Sequence, residues 1–216
     1  IGQGNGAGPT IWICVSTPLF RALRKEGYGM HLTAPITLMM THITGYAFVD
    51  DADLVQAQGT MKTEGELLLR AQAQLIVWEE LLRTTGGAIA PEKSHWVFIR
   101  YRWNGKEWKY KREQHKEKLM VRDKHKNQLP LTQLHLSEAR ETLGVWIAAD
   151  GNWRTQTKKM KEKATEWGDK LAKGYLREVD AMVALQTTIT KSLEYALPAT
   201  SLTKNQCKSI MSPLLV

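Results

Sequence analysis

The run Tyr46-Ala47-Phe48-Val49-Asp50-Asp51-Ala52-Asp53-Leu54-Val55 constrains the fold most. An apolar segment climbs to two adjacent aspartates and a second apolar segment leaves them. This is the pattern of a β-hairpin with carboxylates at its tip. The spacing predicts strands over 43–49 and 52–56. The two-residue period puts Tyr46, Phe48 and Asp50 on one face, and Ala47 and Val49 on the other. Two carboxylates at a tight turn repel each other, so they sit in solvent or around a divalent cation. Magnesium favours oxygen ligands and takes one or two carboxylates plus substrate phosphates. Two such ions about 3.5–4 Å apart clamp the attacking and leaving oxygens of a phosphoryl transfer. A solvated acidic turn is the plainer alternative.

The acidity of this hairpin is local. The 216-residue chain carries a net charge of +8, yet residues 1–90 hold 6 basic and 8 acidic side chains. Residues 100–126 hold 11 basic and 4 acidic ones. Positive charge of this kind suits a polyanionic partner, and equally a solvated surface. The length suffices for one or two domains with a sizeable core. No apolar run reaches the about 18 residues that a membrane helix needs, so no membrane partner is expected. Cys14 and Cys207 show no metal-ligand spacing and read as buried thiols. The sequence opens in a glycine-rich segment rather than at a methionine, and is read as part of a longer chain.

Gly2-Gln3-Gly4-Asn5-Gly6-Ala7-Gly8-Pro9-Thr10 reads as a loop that a ligand can approach closely. A helix follows over 11–25, with Ile13, Leu19 and Leu23 among its apolar positions and a kink or later start at Pro18. Thr63-x-x-Glu66 is a capping box, and Leu67, Leu68, Ala71, Leu75, Trp78 and Leu82 form the stripe of a helix that packs on a sheet. Gly86-Gly87 stops it. After Lys93, a strand is predicted from His95 to Arg102. Trp103-Asn104-Gly105-Lys106-Glu107-Trp108 signals a hairpin. Around it Arg100, Arg102, Lys109 and Lys111 alternate with aromatics, a pattern that suits a surface tracking a nucleic-acid backbone.

The polar stretch 114–128 reads as a loop or insertion, and 142–148 as a strand turning at Asp150-Gly151. Beyond Trp153 the pattern is helical. One stripe is Thr157, Met160, Ala164, Trp167 and Leu171, and a second is Met182, Leu185, Ile189, Leu193 and Ala196, stopped by Pro198. Thr203-x-x-Gln206 caps a third helix with Ile210 and Met211 inward. Lys158, Lys159, Lys161 and Lys163 crowd the start of the first of these helices. They oppose its macrodipole unless an anion, such as a nucleic-acid backbone, compensates.

The ordered series resembles the palm and thumb of retroelement reverse transcriptases, most like the non-LTR (LINE-like) kind. Gln3-Gly4 with Pro9 is similar to motif B, which touches the template base and incoming nucleotide. Phe48-Val49-Asp50-Asp51 is similar to motif C, whose aspartates face the metals. Gly86-Gly87 through Lys93 is similar to motif D, whose lysine lies near the nucleotide's phosphates. Leu143-Gly144-Val145 resembles motif E, the primer grip.

The resemblance implies an α+β fold. A right-hand polymerase palm over 1–152 is expected, a split β-α-β unit with an antiparallel sheet of strands 43–49, 52–56 and 95–102 and packed helices. A helical thumb over 153–216 follows. It implies an RNA-directed DNA polymerase with Mg²⁺ or Mn²⁺ as cofactor, and RNA template, DNA primer and deoxynucleoside triphosphates as partners. Asp50, Asp51 and Lys93 are the implied catalytic residues, the two aspartates also holding metal. Gln3, Gly4, Phe48 and Gly144 are implied to bind substrate. Arg100, Arg102, Lys109, Lys111, Lys158 and Lys159 are candidate nucleic-acid contacts. Asp53 is expected to support the site. Motif A, with another metal-binding aspartate, is expected ahead of Ile1, so these residues alone are expected not to polymerise. A LINE-like element would work in the nucleus. The rival reading is a non-catalytic nucleic-acid-binding module or degenerate retroelement relic, which needs only the basic segments.

Overall fold

The computed structural model describes residues 7–48 and 51–214. Helix α1 (Gly8–Lys25) leads into the hairpins β1 (Met30–Thr33) with β2 (Met40–Ile43), and β3 (Gly45–Phe48) with β4 (Asp51–Leu54). Helix α2 (Glu64–Thr84) and β5 (His95–Trp96) follow. Then come β6 (Tyr101–Trp103), β7 (Trp108–Tyr110), β8 (Met120–Arg122), β9 (Gln128–Pro130), β10 (Thr132–Gln133), β11 (Ala139–Thr142) and β12 (Val145–Ala148). The chain continues through α3 (Arg154–Lys173), α4 (Glu178–Ala184), a π-helical segment Leu185–Ile189, α5 (Thr190–Glu194) and α6 (Lys204–Met211). The fold is α+β. It divides into two compact units: Ile1–Trp96 with His115–Gln133, and Val97–Gln114 with Leu134–Val216. This division groups 97–114 and 134–152 with the helical tail, where a 152/153 boundary would separate them.

In the first unit α1 lies against α2, with Leu19, Leu23, Tyr28 and Trp78 buried between them. Pro18 sits inside an unbroken α1 instead of delaying its start. It lies on the exposed side while Leu19 and Leu23 are buried, so burial outweighs the one backbone hydrogen bond that proline forgoes. Ile13 faces outward. Helix α2 begins as its sequence dictates, with Thr63 Oγ1 accepting from the Glu66 amide. The Glu66 carboxylate accepts from the Lys62 amide. At the other end Gly86 takes φ +81°, and the Gly87 amide returns to the Leu82 carbonyl.

Helix α2 packs on α1 and β8 rather than on a broad sheet. The segment 114–128 is not simply a loop. It contains β8, paired with β9, and buries Leu119 and Val121 with Leu131. The stretch 95–102 is not one strand either. β5 ends at Trp96 and pairs in parallel with β10, while β6 pairs with β7, and the chain passes from one unit to the other between them. Among the described residues every sheet has two strands, so β3–β4 and β5 do not share a ladder.

The second unit buries Val145, Met160, Ala164, Ile189, Leu193, Ala196 and Ile210, with Trp167, Leu171 and Leu185 against them. Apart from Val145 on β12, these residues belong to the helical stripes of the sequence, of which Met182 is exposed. The full Thr203–Gln206 capping box starts α6. The stretch 142–148 is a turn and a strand, not one strand. Leu143 and Gly144 take φ of +51° and +79° and reverse the chain between β11 and β12.

Candidate active site

The β3–β4 register decides which residues can act together. Phe48 pairs with Asp51 and Tyr46 with Asp53, while Ala47 pairs with Ala52 and Gly45 with Leu54. Directly opposed residues point to the same face of a hairpin. One face therefore carries Tyr46, Phe48, Asp51 and Asp53, all exposed, and the other Gly45, Ala47, Ala52 and Leu54. Strand β4 begins at Asp51, one residue earlier than the spacing predicts. It is thus Asp51 that shares the aromatic face in the described strands. Val49 and Asp50 lie outside the described residues, as do Gln3 and Gly4.

The hairpin is held from beneath. Gln74 on α2 is 2% exposed, and its Nε2 donates to the Thr44 and Val55 carbonyls, each at 3.2 Å. Those two residues continue the ladder, with the Val55 amide donating to the Thr44 carbonyl at 3.0 Å. Gly45 lets the rest of the unit close in. A Cβ there would stand 2.3 Å from the Asp53 carbonyl oxygen and 2.8 Å from Phe20 Cε1. Phe20 in turn packs against Trp78, ring centroids 5.0 Å apart. The sequence reading missed Gln74 because a glutamine within an apolar stripe looks like a lapse in the pattern. Its sequence signal was its position between Ala71 and Trp78, on the side that α2 buries.

Electrostatics on the open face are those of crowded carboxylates. Desolvation by neighbouring atoms holds the Asp53 carboxyl above its ordinary value, although the residue keeps solvent access. His95 at the start of β5 partly offsets this and Asp51 adds to it. His95 is near enough for Asp53 to feel its charge, so the start of β5 lies near the hairpin. Lys93 lies two residues earlier, exposed, in the turn whose amide bonds Ala90. Two hard carboxylate oxygen donors side by side on an open face are donors that Mg²⁺ or Mn²⁺ accepts. Among the described residues no group of three His, Cys, Asp or Glu side chains converges on one point.

A buried carboxylate lies further along α2. Glu79, 2% exposed, accepts from Arg83 Nε at 3.2 Å, Arg122 Nε at 2.5 Å and the Arg122 amide at 2.9 Å. Arg122 also bonds Glu80. The set is structural, pinning β8 to α2.

The remaining candidates lie in the second unit. Gly144 turns between β11 and β12, and the Tyr195 hydroxyl donates to the Leu143 carbonyl at 2.9 Å. Arg102 and Lys109 face each other across β6–β7, and Lys109 reaches Glu107 at 3.2 Å. Arg100 bonds the Glu113 carbonyl and lies over the Phe98 ring, and the Lys111 amide bonds the Arg100 carbonyl. Lys158 and Lys159 approach Glu162 at 3.8 and 3.5 Å, and Lys159 stands over Trp146 at 5.6 Å. Part of the anionic compensation at the start of α3 is therefore supplied by the helix itself.

Fold and site together define an α+β chain that presents an acidic, aromatic hairpin on a two-helix base. No protein-family model, curated protein or solved structure matches the chain.

Proposed function

We propose that the intact protein is an RNA-directed DNA polymerase of the retroelement type, with the β3–β4 hairpin carrying catalytic carboxylates. The observation that carries this reading is the exposed pairing of Phe48 with Asp51, on a hairpin whose base is clamped by the buried Gln74 amide. Such a base fixes the carboxylates without using the face they present.

In this reading the primer 3′-oxygen attacks the α-phosphorus of a nucleotide. A phosphorus–oxygen bond forms as the bond to pyrophosphate breaks, and the hydroxyl proton passes to solvent. Asp50 and Asp51, together with the further aspartate that this reading requires, would hold Mg²⁺, which would supply Lewis-acid stabilisation of the charge that develops at the reacting oxygens. Phe48 supports the primer terminus, and Lys93 neutralises the departing pyrophosphate. Gln3 and Gly4 contact the templating pair, and Gly144 contacts the primer. Arg100, Arg102, Lys109, Lys111, Lys158 and Lys159 follow the nucleic-acid backbone.

Primer extension on an RNA template with Mg²⁺ tests this, in a chain extended upstream to include the aspartate that the reading requires. Asp50→Asn is expected to abolish synthesis and leave RNA binding in place. Synthesis undiminished by that change contradicts the proposal. The non-catalytic binding reading is favoured by one observation, the cationic β6–β7 hairpin in the other unit. It requires binding that ignores Mg²⁺ and weakens steeply with salt, by close to one log unit per log salt for each duplex phosphate neutralised.

A further inference from the structure

We propose that the β6–β7 hairpin is a stacking platform for unpaired bases of single-stranded nucleic acid. Its register places Tyr101 opposite Tyr110 and Trp103 opposite Trp108, four aromatic rings on one face. The ring centroids are 4.9 Å apart in the first pair and 5.5 Å in the second. The neighbouring Tyr101 hydroxyl, with desolvation, holds the Tyr110 phenol above its ordinary value. Successive rungs on one face of a strand lie about 6.8 Å apart, so two bases find separate seats.

Cross-strand aromatics often serve only to close a hairpin. Here they close it and still face water: Tyr101, Trp103 and Trp108 are 53%, 51% and 67% exposed. Large π-faces held open at a tight Asn-Gly turn are surfaces that any base can stack on. Charge complementarity selects the occupant. Between Arg100 and Lys111 stand five cations and one carboxylate, Glu107. Strand alternation puts Arg102 and Lys109 on the face opposite the rings. The aromatic face thus takes bases, while long cationic side chains reach round a ribbon only about 4.8 Å from strand to strand. An apolar protein partner would gain nothing from that ring of cations.

The base of the hairpin is anchored within its own unit. Phe98 is buried beneath Arg100, and Arg112 approaches the Asp150 carboxylate at 3.6 Å. This inference is independent of catalysis and survives if the polymerase reading fails.

The experiment is a binding titration of the full chain with labelled oligodeoxythymidine, and with a duplex of equal length, in EDTA and low salt. Trp108→Leu is expected to weaken binding to the single strand about tenfold, the contribution of one stacked base. It should leave duplex binding unchanged. Trp108→Phe, which keeps a ring, should restore most of the single-strand affinity. Arg102→Gln with Lys109→Gln should lower the salt slope by roughly 1.4. Single-strand affinity unchanged in Trp108→Leu overturns the proposal. So does equal weakening on single strand and duplex, or failure of Trp108→Phe to restore binding, since both mark loss of the hairpin rather than of stacking.

Discussion

Asp53 shows how much a single register position decides. From the sequence it reads as a supporting residue just past the turn. Paired with Tyr46, it joins Asp51 on the open face and carries a carboxyl that favours its proton. The sign of the consequence follows from linkage. The ordinary value is 3.8, and the folded value lies above it. Between the two, the folded state binds more protons than the unfolded chain. Stability therefore falls as pH rises through that window, and stays lower above it. Below pH 3.8 both states are protonated and the penalty vanishes. Asp53→Asn is expected to raise the melting temperature at pH 7 and to lose that advantage at about pH 3. Thermal melts of both proteins across this range check it. An equal shift at both pH values would show that the carboxyl charge is not the cause.

At the scale of elements, the helices were the most legible parts of the chain. Thr63 and Glu66, the 3- and 4-residue stripe and Gly86-Gly87 together bound α2. Hairpin β6–β7 was legible through Asn104-Gly105: Gly105 takes φ +93° at the turn, and the Asn104 side-chain oxygen accepts from the Lys106 and Glu107 amides. The turn at Leu143-Gly144 was not. Leucine with φ +51° is no turn signal, and the bond holding it comes from Tyr195, far along the chain. Strand β8 was hidden for a similar reason: Arg122 reads as solvated until Glu79 meets it.

Gln74 is the element-scale device that matters for the site, since it joins α2 to the carboxylate hairpin. Gln74→Leu keeps the volume roughly but removes both donated bonds. The Thr44 carbonyl retains its bond from Val55, and the Val55 carbonyl loses its bond from Gln74. The cost is expected to be about 2 kcal/mol. It is measured as a lower denaturant midpoint with unchanged slope. A change within 0.5 kcal/mol of zero would deny Gln74 the clamping role.

Over the whole molecule, charge and chemistry are divided between two units. The acidic hairpin, Lys93 and His95 belong to one, and the cationic, aromatic β6–β7 hairpin, Gly144 and the lysine-rich α3 to the other. The sequence reveals this asymmetry through its local charge, negative over 1–90 and positive over 100–126. It could not reveal that 97–114 and 134–152 group with the helices, because chain order carries no record of which hairpin anchors where. On the proposed function, the open face of β3–β4 holds divalent cations. The most direct test is to titrate Mn²⁺ into the isotopically labelled chain and read paramagnetic broadening of its amide signals. The account expects saturable broadening centred on residues 46–54, and its loss in Asp50→Asn with Asp51→Asn. Broadening that ignores those changes, or that never centres on the hairpin, would contradict it.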